Sequence, residues 1–364
     1  MLLKLFFHEV KAVTKPDISN ARSILIIDSA LIGDVIMLIP FLRIVRKNNE
    51  HCIITLACGK WAVDILKDQN LVDNFVIIDI SFLNSIKKLI FHRKKLKELV
   101  SRVNVREYDY ALEPRGDIRY IYFMHFCSAK RKISYNYSGG ECFLTDVIIP
   151  NNNIEHLIDD KLNMLRAIGC TYNEQDRSPS LKRTEDYLLF DNEYKNLHSI
   201  SGKIVIGIHP GSSLNIKKWE HYDKLIQKLS TQIENSCFII FAGPGETEAD
   251  FIANFAKDCT VCKTDLKKYI YTLALCDCVI CNDSGAGHIA TALGVQTVTL
   301  LGPFPASFCA PVGSTSHPIS KIVHCKPCLL RECKYRTKEC LEQITVDEVF
   351  ETVKACIKRI KKIS

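Results

Sequence analysis

Three stretches in the second half of this 364-residue sequence share one chemistry. His209-Pro210-Gly211-Ser212-Ser213, Gly243-Pro244-Gly245-Glu246-Thr247 and Asp283-Ser284-Gly285-Ala286-Gly287-His288 each follow a short apolar run, carry glycine and open a loop or helix. Glycine lets backbone N–H groups approach an anion, and a helix N-terminus behind them adds about half a unit of positive charge. Lys217 and Lys218, just before Trp219, add full charges. One glycine turn needs only a steric explanation, Asp283 alone suits a cap, His288 alone a helix start and Lys217 alone a solvated face. Three such turns at one sheet edge describe a site for a phosphate-bearing ligand such as a nucleotide.

Gly285-Ala286-Gly287-His288-Ile289-Ala290 also fits the dinucleotide fingerprint, which requires an acid about 20 residues further on to hold ribose hydroxyls. No Asp or Glu lies between Asp283 and Glu332, so that reading fails and a phosphate turn remains. In the first half, Asp34 stands in Ser29-Ala30-Leu31-Ile32-Gly33-Asp34 at a strand-to-helix turn. Such an acid either complements the helix dipole or serves as a carboxylate able to take a proton from an attacking hydroxyl. Near the end, Cys325, Cys328, Cys333 and Cys340 form a cluster. Its C-x2-C pair suits a structural zinc half-site, while the irregular remaining spacings equally suit unliganded loop cysteines.

The elements that must position these residues alternate. Ser23–Ile27 predicts a strand, and the segment after it a helix with Val35, Leu38, Leu42 and Val45 on one face. Strands follow over 51–57, 74–80, 108–113 and 130–135, with helices over 61–67, 85–103 and 156–168. The polar stretch 183–202 lacks a strong period and is read as a linker region. A second series then runs through strands at 204–208, 237–242, 278–282 and 298–301, and helices at 219–231, 247–257, 266–276 and 286–293. This predicts an α/β protein with two parallel sheets flanked by helices, a cleft between them, and ligands beyond the carboxyl ends of the strands. The expected divisions are an N-terminal extension 1–22, a first domain 23–182, the linker 183–202, a second domain 203–345 and a C-terminal basic helix 346–364.

The longest apolar runs are too short for a membrane span, and MLLKLFFHEVKAVTK reads as an amphipathic helix rather than a signal peptide. Seventeen cysteines, an odd number mostly in apolar contexts, suit free thiols in a reducing compartment, the cytoplasm. The net charge of +7 is local: Leu83 to Arg106 holds eight Lys or Arg and one acid, and Lys354 to Ser364 five and none. The helix around Lys87 to Arg102 has one apolar and one cationic face, which suits an anionic membrane surface. No aromatic-interleaved or helix-turn-helix pattern supports nucleic acid as partner.

Several blocks resemble glycosyltransferase family 9, the lipopolysaccharide heptosyltransferase family: ILIIDSALIGDVIMLIPFLRIV, Ser128 to Tyr135, HPGSSLNIKKWEHYDKL, FAGPGETEADF, CNDSGAGHIATALGVQTVTLLGP and the closing cysteine region. The resemblance implies a GT-B fold, two Rossmann-like domains whose parallel sheets face a central cleft, with acceptor bound mainly by the first and nucleotide sugar by the second. It implies inverting transfer that needs no cofactor or catalytic metal. Asp34 would match the general base and Lys217 the lysine on the donor diphosphate. His209, Ser212 and Ser213 would line the cleft, Gly245 and Glu246 the nucleotide side. Asp283, Ser284, Gly285, Gly287 and His288 would lie under the diphosphate and sugar.

Gly302-Pro303-Phe304-Pro305 departs from the Gly-Pro-Thr-Asp/Ser-Pro of many relatives, and Glu113 to Asp117 departs as well. There Arg115 and Asp117 either read an acceptor or pair with each other. The implied activity is heptose transfer from ADP-heptose to a lipopolysaccharide core or related lipid-linked saccharide, in the cytoplasm and peripheral to the inner face of the inner membrane. The alternatives are another nucleotide sugar such as a UDP-hexose, or a non-catalytic nucleotide- or glycan-binding paralogue, against which the presence of Asp34, Lys217 and His288 argues.

Overall fold

The computed structural model describes residues 16–29, 31–78, 80–83, 85–150, 156–328, 330–335 and 337–363, with only the backbone of 80, 81 and 361–363. The amphipathic helix expected over 1–15 lies outside the described residues. The chain divides into two compact units, 1–177 and 178–364.

The first unit is built on six parallel strands: β1 (Ser23–Ile27), β2 (Ile53–Cys58), β3 (Asn74–Ile77), β4 (Tyr108–Glu113), β5 (Ala129–Tyr135) and β6 (Asp146–Ile148), in the order β3-β2-β1-β4-β5-β6. The second repeats the plan with β7 (Ile204–His209), β8 (Ser236–Phe241), β9 (Cys259–Cys262), β10 (Cys278–Asn282), β11 (Gln296–Leu301) and β12 (Ser316–Ser320), in the order β12-β11-β10-β7-β8-β9. Both are doubly wound sheets of Rossmann type, and each has its reversal of strand order at one place. That place is between β1 and β4 in the first unit and between β7 and β10 in the second.

The central strands are continuous apolar runs because helices cover both sheet faces. Ile24 to Ile27 and Cys278 to Cys281 are fully buried. The helix Ile32–Asn48 is buried from Val35 to Leu42 and again at Ile44 and Val45, a wider apolar face than the four positions expected from periodicity.

Four boundaries differ from expectation. The supposed linker contains the helix Glu185–Leu197, held to the second unit by Tyr187, whose hydroxyl donates to Ala274 O at 3.2 Å. Residues 16–22 belong to the first unit, where Ile18 is buried and its N–H donates to Ile168 O. The C-terminal helix Val346–Ile363 is no appendage: Val349, Phe350, Val353, Cys356 and Ile357 share one core with Ile206, Ile280 and Val298. The basic helix expected over 85–103 is two, Ile86–Phe91 and Arg93–Val103, broken at His92. Among the described residues no helix is long and apolar enough to cross a membrane.

Candidate functional site

In the second unit the three glycine-bearing turns follow β7, β8 and β10, so the strand order alone brings them to one sheet edge. Asn282, fully buried at the end of β10, fixes the longest of them. Its amide donates to Pro210 O at 2.6 Å and its oxygen accepts the Trp219 N–H at 3.0 Å, which staples both ends of the 210–219 loop to the central strand. Lys217 sits in that loop on a short 3-10 turn, with its ammonium 2.8 Å from Asp283 Oδ2. Lys218 turns away to Glu248.

The helix Gly285–Ala292 begins beside Asp283, and its N-cap Ser284 gives it no side-chain hydrogen bond. Among the described residues, the buried hydroxyls of Ser284 and Ser212 have no hydrogen-bond partner. Uncapped N–H groups and two hydroxyl donors around one ammonium suit an anion. Ser213 is exposed on the same loop.

His209, at the tip of β7, is buried with Nδ1 3.1 Å from the Tyr269 hydroxyl. Burial lowers its pKa against the opposing pull of Glu246 and Glu248, so the imidazole is neutral at pH 7. Glu246 accepts the Gly243 N–H at 2.7 Å and lays its carboxylate over Gly211, after a turn in which Gly245 has φ +80°. Gly287 is the third residue of the helix Gly285–Ala292. It lies on the buried side of the helix, where a Cβ would fall 2.9 Å from Thr299 Oγ1 and 3.0 Å from Cys281 Sγ, so glycine there lets helix and sheet approach. His288, the next residue, is buried and is the fourth of the same helix.

In the first unit, Asp34 is the third residue of the helix Ile32–Asn48, partly exposed, and its Oδ2 accepts the Leu31 N–H at 3.2 Å. Around this turn lies a network that sequence inspection missed. Asp28, one residue past β1 and 1% exposed, pairs with Lys161 at 2.8 Å and with Arg115 at 3.9 Å. Burial opposes the charge of Arg115, but Asp28 first and Asp34 second outweigh it and hold the guanidinium's pKa above its ordinary value. Glu113, fully buried at the end of β4, accepts from Ser134 Oγ at 2.6 Å and Gly116 N at 2.7 Å. Burial raises its pKa to about 7.

Of the two readings of Arg115 and Asp117, mutual pairing is corrected: they form no ion pair with each other. Asp117 caps the helix Ile118–His125 and binds Arg119, accepting its Nε at 2.9 Å. Burial of Asp117 is outweighed by those Arg119 hydrogen bonds, which keep its carboxyl below the usual range. Arg115 faces Asp28 instead. A signal for the network existed: Lys161 occupies an apolar-face position of the helix Leu157–Ala167, beside buried Ile158, Leu162 and Leu165. The four cysteines fare differently. Cys340 is buried and Cys333 Sγ donates to Thr337 O. Among the described residues no group of three or more His, Cys, Asp or Glu is arranged to hold a metal ion.

Residues 96–339 match the family model described as glycosyltransferase family 9 (heptosyltransferase). The chain belongs to glycosyltransferase family 9. The family 9 stretch contains Arg115, Asp117 and every candidate from His209 to His288, and begins after Asp34. Lipooligosaccharide heptosyltransferase 2 of Campylobacter jejuni is 28% identical over 168 residues, 42% of this chain and 52% of the relative. The chain thus matches about half the length of that relative. Two solved structures share the fold over 93% of the chain, each at 20% identity: a family 9 glycosyltransferase from Veillonella parvula (TM-score 0.78, 98% of it covered) and the Escherichia coli ADP-heptose lipopolysaccharide heptosyltransferase II (TM-score 0.73, 99% covered).

Proposed function

We propose that this family 9 chain is an inverting glycosyltransferase that moves heptose from ADP-heptose to a lipopolysaccharide core or related lipid-linked saccharide. The observation that carries the donor half is the Lys217–Asp283 pair beside an uncapped helix start, with the Ser212 and Ser284 hydroxyls unpartnered among the described residues. A diphosphate exchanges Asp283 for itself at Lys217 and takes up the free N–H groups. Glu246, on the β8 side, suits ribose hydroxyls. The names of the relatives support heptose and ADP as the donor parts.

In the reaction, Asp34 takes the proton of an acceptor hydroxyl as that oxygen attacks the anomeric carbon. The bond from that carbon to the diphosphate oxygen breaks, and its electron pair leaves with the nucleoside diphosphate. Lys217 and the Gly285 helix start stabilise the growing negative charge, the kind of fixed-dipole assistance that lowers a barrier most. No cofactor enters these steps. The acceptor belongs with Arg115 and the first unit, and the basic residues of the helices Ile86–Phe91 and Arg93–Val103 in that unit suit an anionic membrane surface.

One observation favours another donor sugar as the second reading: Phe304 replaces the small polar residue of many relatives in the Gly-Pro-Thr block. Asp34→Asn tests the mechanism. Transfer should fall by about 10²–10⁴, the usual contribution of a general base, while ADP-heptose binding survives. Turnover near wild type in a mass-spectrometric transfer assay would remove Asp34 from that role.

A further inference from the structure

The departure at Phe304 has a geometry of its own. β11 pairs with β10 in register Asn282↔Leu300, so the loop after β11 emerges beside Asp283. Phe304 stands in that loop between Pro303 and Pro305, whose rings restrict the backbone. The Cys328 N–H donates to Pro303 O at 2.9 Å and pins the loop from the other side. The Phe304 ring is therefore a placed surface. Lys217 Nζ lies 5.0 Å from its centroid. Phe308, one turn further along, stacks behind it with centroids 6.2 Å apart and an interplanar angle of 25°. Phe304 is half-buried and Phe308 39% exposed, so the stack keeps an open side.

The ammonium that neighbours this ring is the one assigned above to the diphosphate, so whatever the phosphates carry on that side meets the ring. The strand order β11-β10-β7-β8 puts Phe304 and Glu246 on opposite sides of the Lys217–Asp283 pair. With the Glu246 carboxylate suited to the ribose, the nucleoside occupies the β8 side and the transferred sugar the β11 side.

We propose that Phe304, backed by Phe308, is the platform for the donor sugar and a specificity-determining residue. The ring offers a flat apolar face and no hydrogen bond. It accepts a sugar that turns a C–H face towards it, and it leaves unpaired any hydroxyl directed at it, which costs affinity. The selection is thus for sugar shape rather than for a particular hydroxyl. This inference rests on the donor-site reading of the proposed function.

The experiment is calorimetric titration of wild type, Phe304→Ala, Phe304→Leu and Phe308→Ala with ADP, ADP-heptose, UDP and UDP-glucose. With the nucleotide sugar that wild type binds, Phe304→Ala should lose about three- to tenfold in affinity, in the range of an aromatic contact. The matching nucleoside diphosphate should bind within twofold of wild type. Phe304→Leu keeps the volume and should recover part of the loss, and Phe308→Ala should lose less than Phe304→Ala. Equal losses for the sugar and the bare diphosphate would assign the ring to Lys217 instead and overturn the platform. Wild-type affinity of Phe304→Ala and Phe304→Leu for the nucleotide sugar would overturn it too. Wild type binding none of the four compounds would instead sink the donor-site reading itself.

Discussion

The two strand-order reversals of this chain are built on one topology and carry opposite chemistry. Between β1 and β4, buried acids are already met by buried or half-buried cations: Asp28 by Lys161 and Arg115, with Glu113 held by Ser134 and the Gly116 N–H. Among the described residues two acid oxygens there accept no hydrogen bond, Asp28 Oδ1, which faces Arg115 at 3.9 Å, and Glu113 Oε1. Between β7 and β10, the corresponding leftovers include hydroxyls, Ser212 Oγ and Ser284 Oγ, beside an uncapped helix. The first reversal is a fixed ionic frame beside a buried acid that burial keeps protonated up to about pH 7, and the second offers hydroxyl donors beside one ion pair. A doubly wound sheet thus fixes where a ligand sits, and the side chains at the strand tips fix which charge it carries.

The largest expected effect breaks the frame of the first reversal. Asp28→Ala leaves Lys161, 7% exposed in its side chain, without its carboxylate at 2.8 Å. Breaking a buried pair from one side costs about 3–5 kcal/mol, because the remaining charge is uncompensated. The chain has two tryptophans, Trp61 in the first unit and Trp219 in the second, so in a Trp219→Phe background the fluorescence of Trp61 follows the first unit alone. Denaturant titration should show that loss in Asp28→Ala, and Asp28→Asn with Lys161→Met should restore much of it. A loss under about 1 kcal/mol would mean that the ionic frame is not what organises this turn.

How far this contrast could be read beforehand follows from chain distance. The donors of the second unit announced themselves because each lies within a few residues of a glycine turn, and a strand such as Cys278–Asn282 is buried throughout and apolar up to its last residue. The frame of the first unit was hidden because Asp28 and Lys161 are 133 residues apart, and nothing local marks one as the partner of the other. Strands β6, β9 and β12 escaped for a different reason. They are edge strands of three to five residues with mixed polarity, which pair because a neighbour offers them a free edge rather than because their own pattern demands it. The helix Glu185–Leu197 carries aromatics Tyr187, Phe190 and Tyr194 at helical spacing, a signal diluted by the polar residues between them.

The next effect sharpens the account of Glu113. Its pKa of about 7 lies above the ordinary 4.5, so between those pH values the folded protein holds a proton that the unfolded chain releases. Stability therefore falls as pH rises through that window, by roughly 3 kcal/mol in total, and is level above it. Glu113→Gln stays neutral and can still accept the Gly116 and Ser134 hydrogen bonds. Its stability measured through Trp61 should change far less between pH 5 and 8, with its advantage over wild type greatest at pH 8. Parallel pH profiles for the two proteins would show that burial does not hold Glu113 protonated.

The smallest effect tests the exchangeable pair of the second reversal. The Lys217 side chain is 17% exposed and Asp283 8%, so this pair is wetter than Asp28–Lys161, and its loss should register in ligand binding more than in folding. A hydrogen bond to a charged group contributes about 1.5–3 kcal/mol, so Lys217→Ala should weaken ADP binding about ten- to hundredfold. It should cost the second unit less stability than Asp28→Ala costs the first. Asp283→Asn removes the carboxylate that competes with phosphate for the ammonium, and ADP should bind it more tightly than wild type. These two variants move affinity in opposite directions only if the pair opens to admit the diphosphate. If Asp283→Asn weakens ADP as Lys217→Ala does, Asp283 instead holds the lysine in place for the ligand, and both reversals are fixed frames after all.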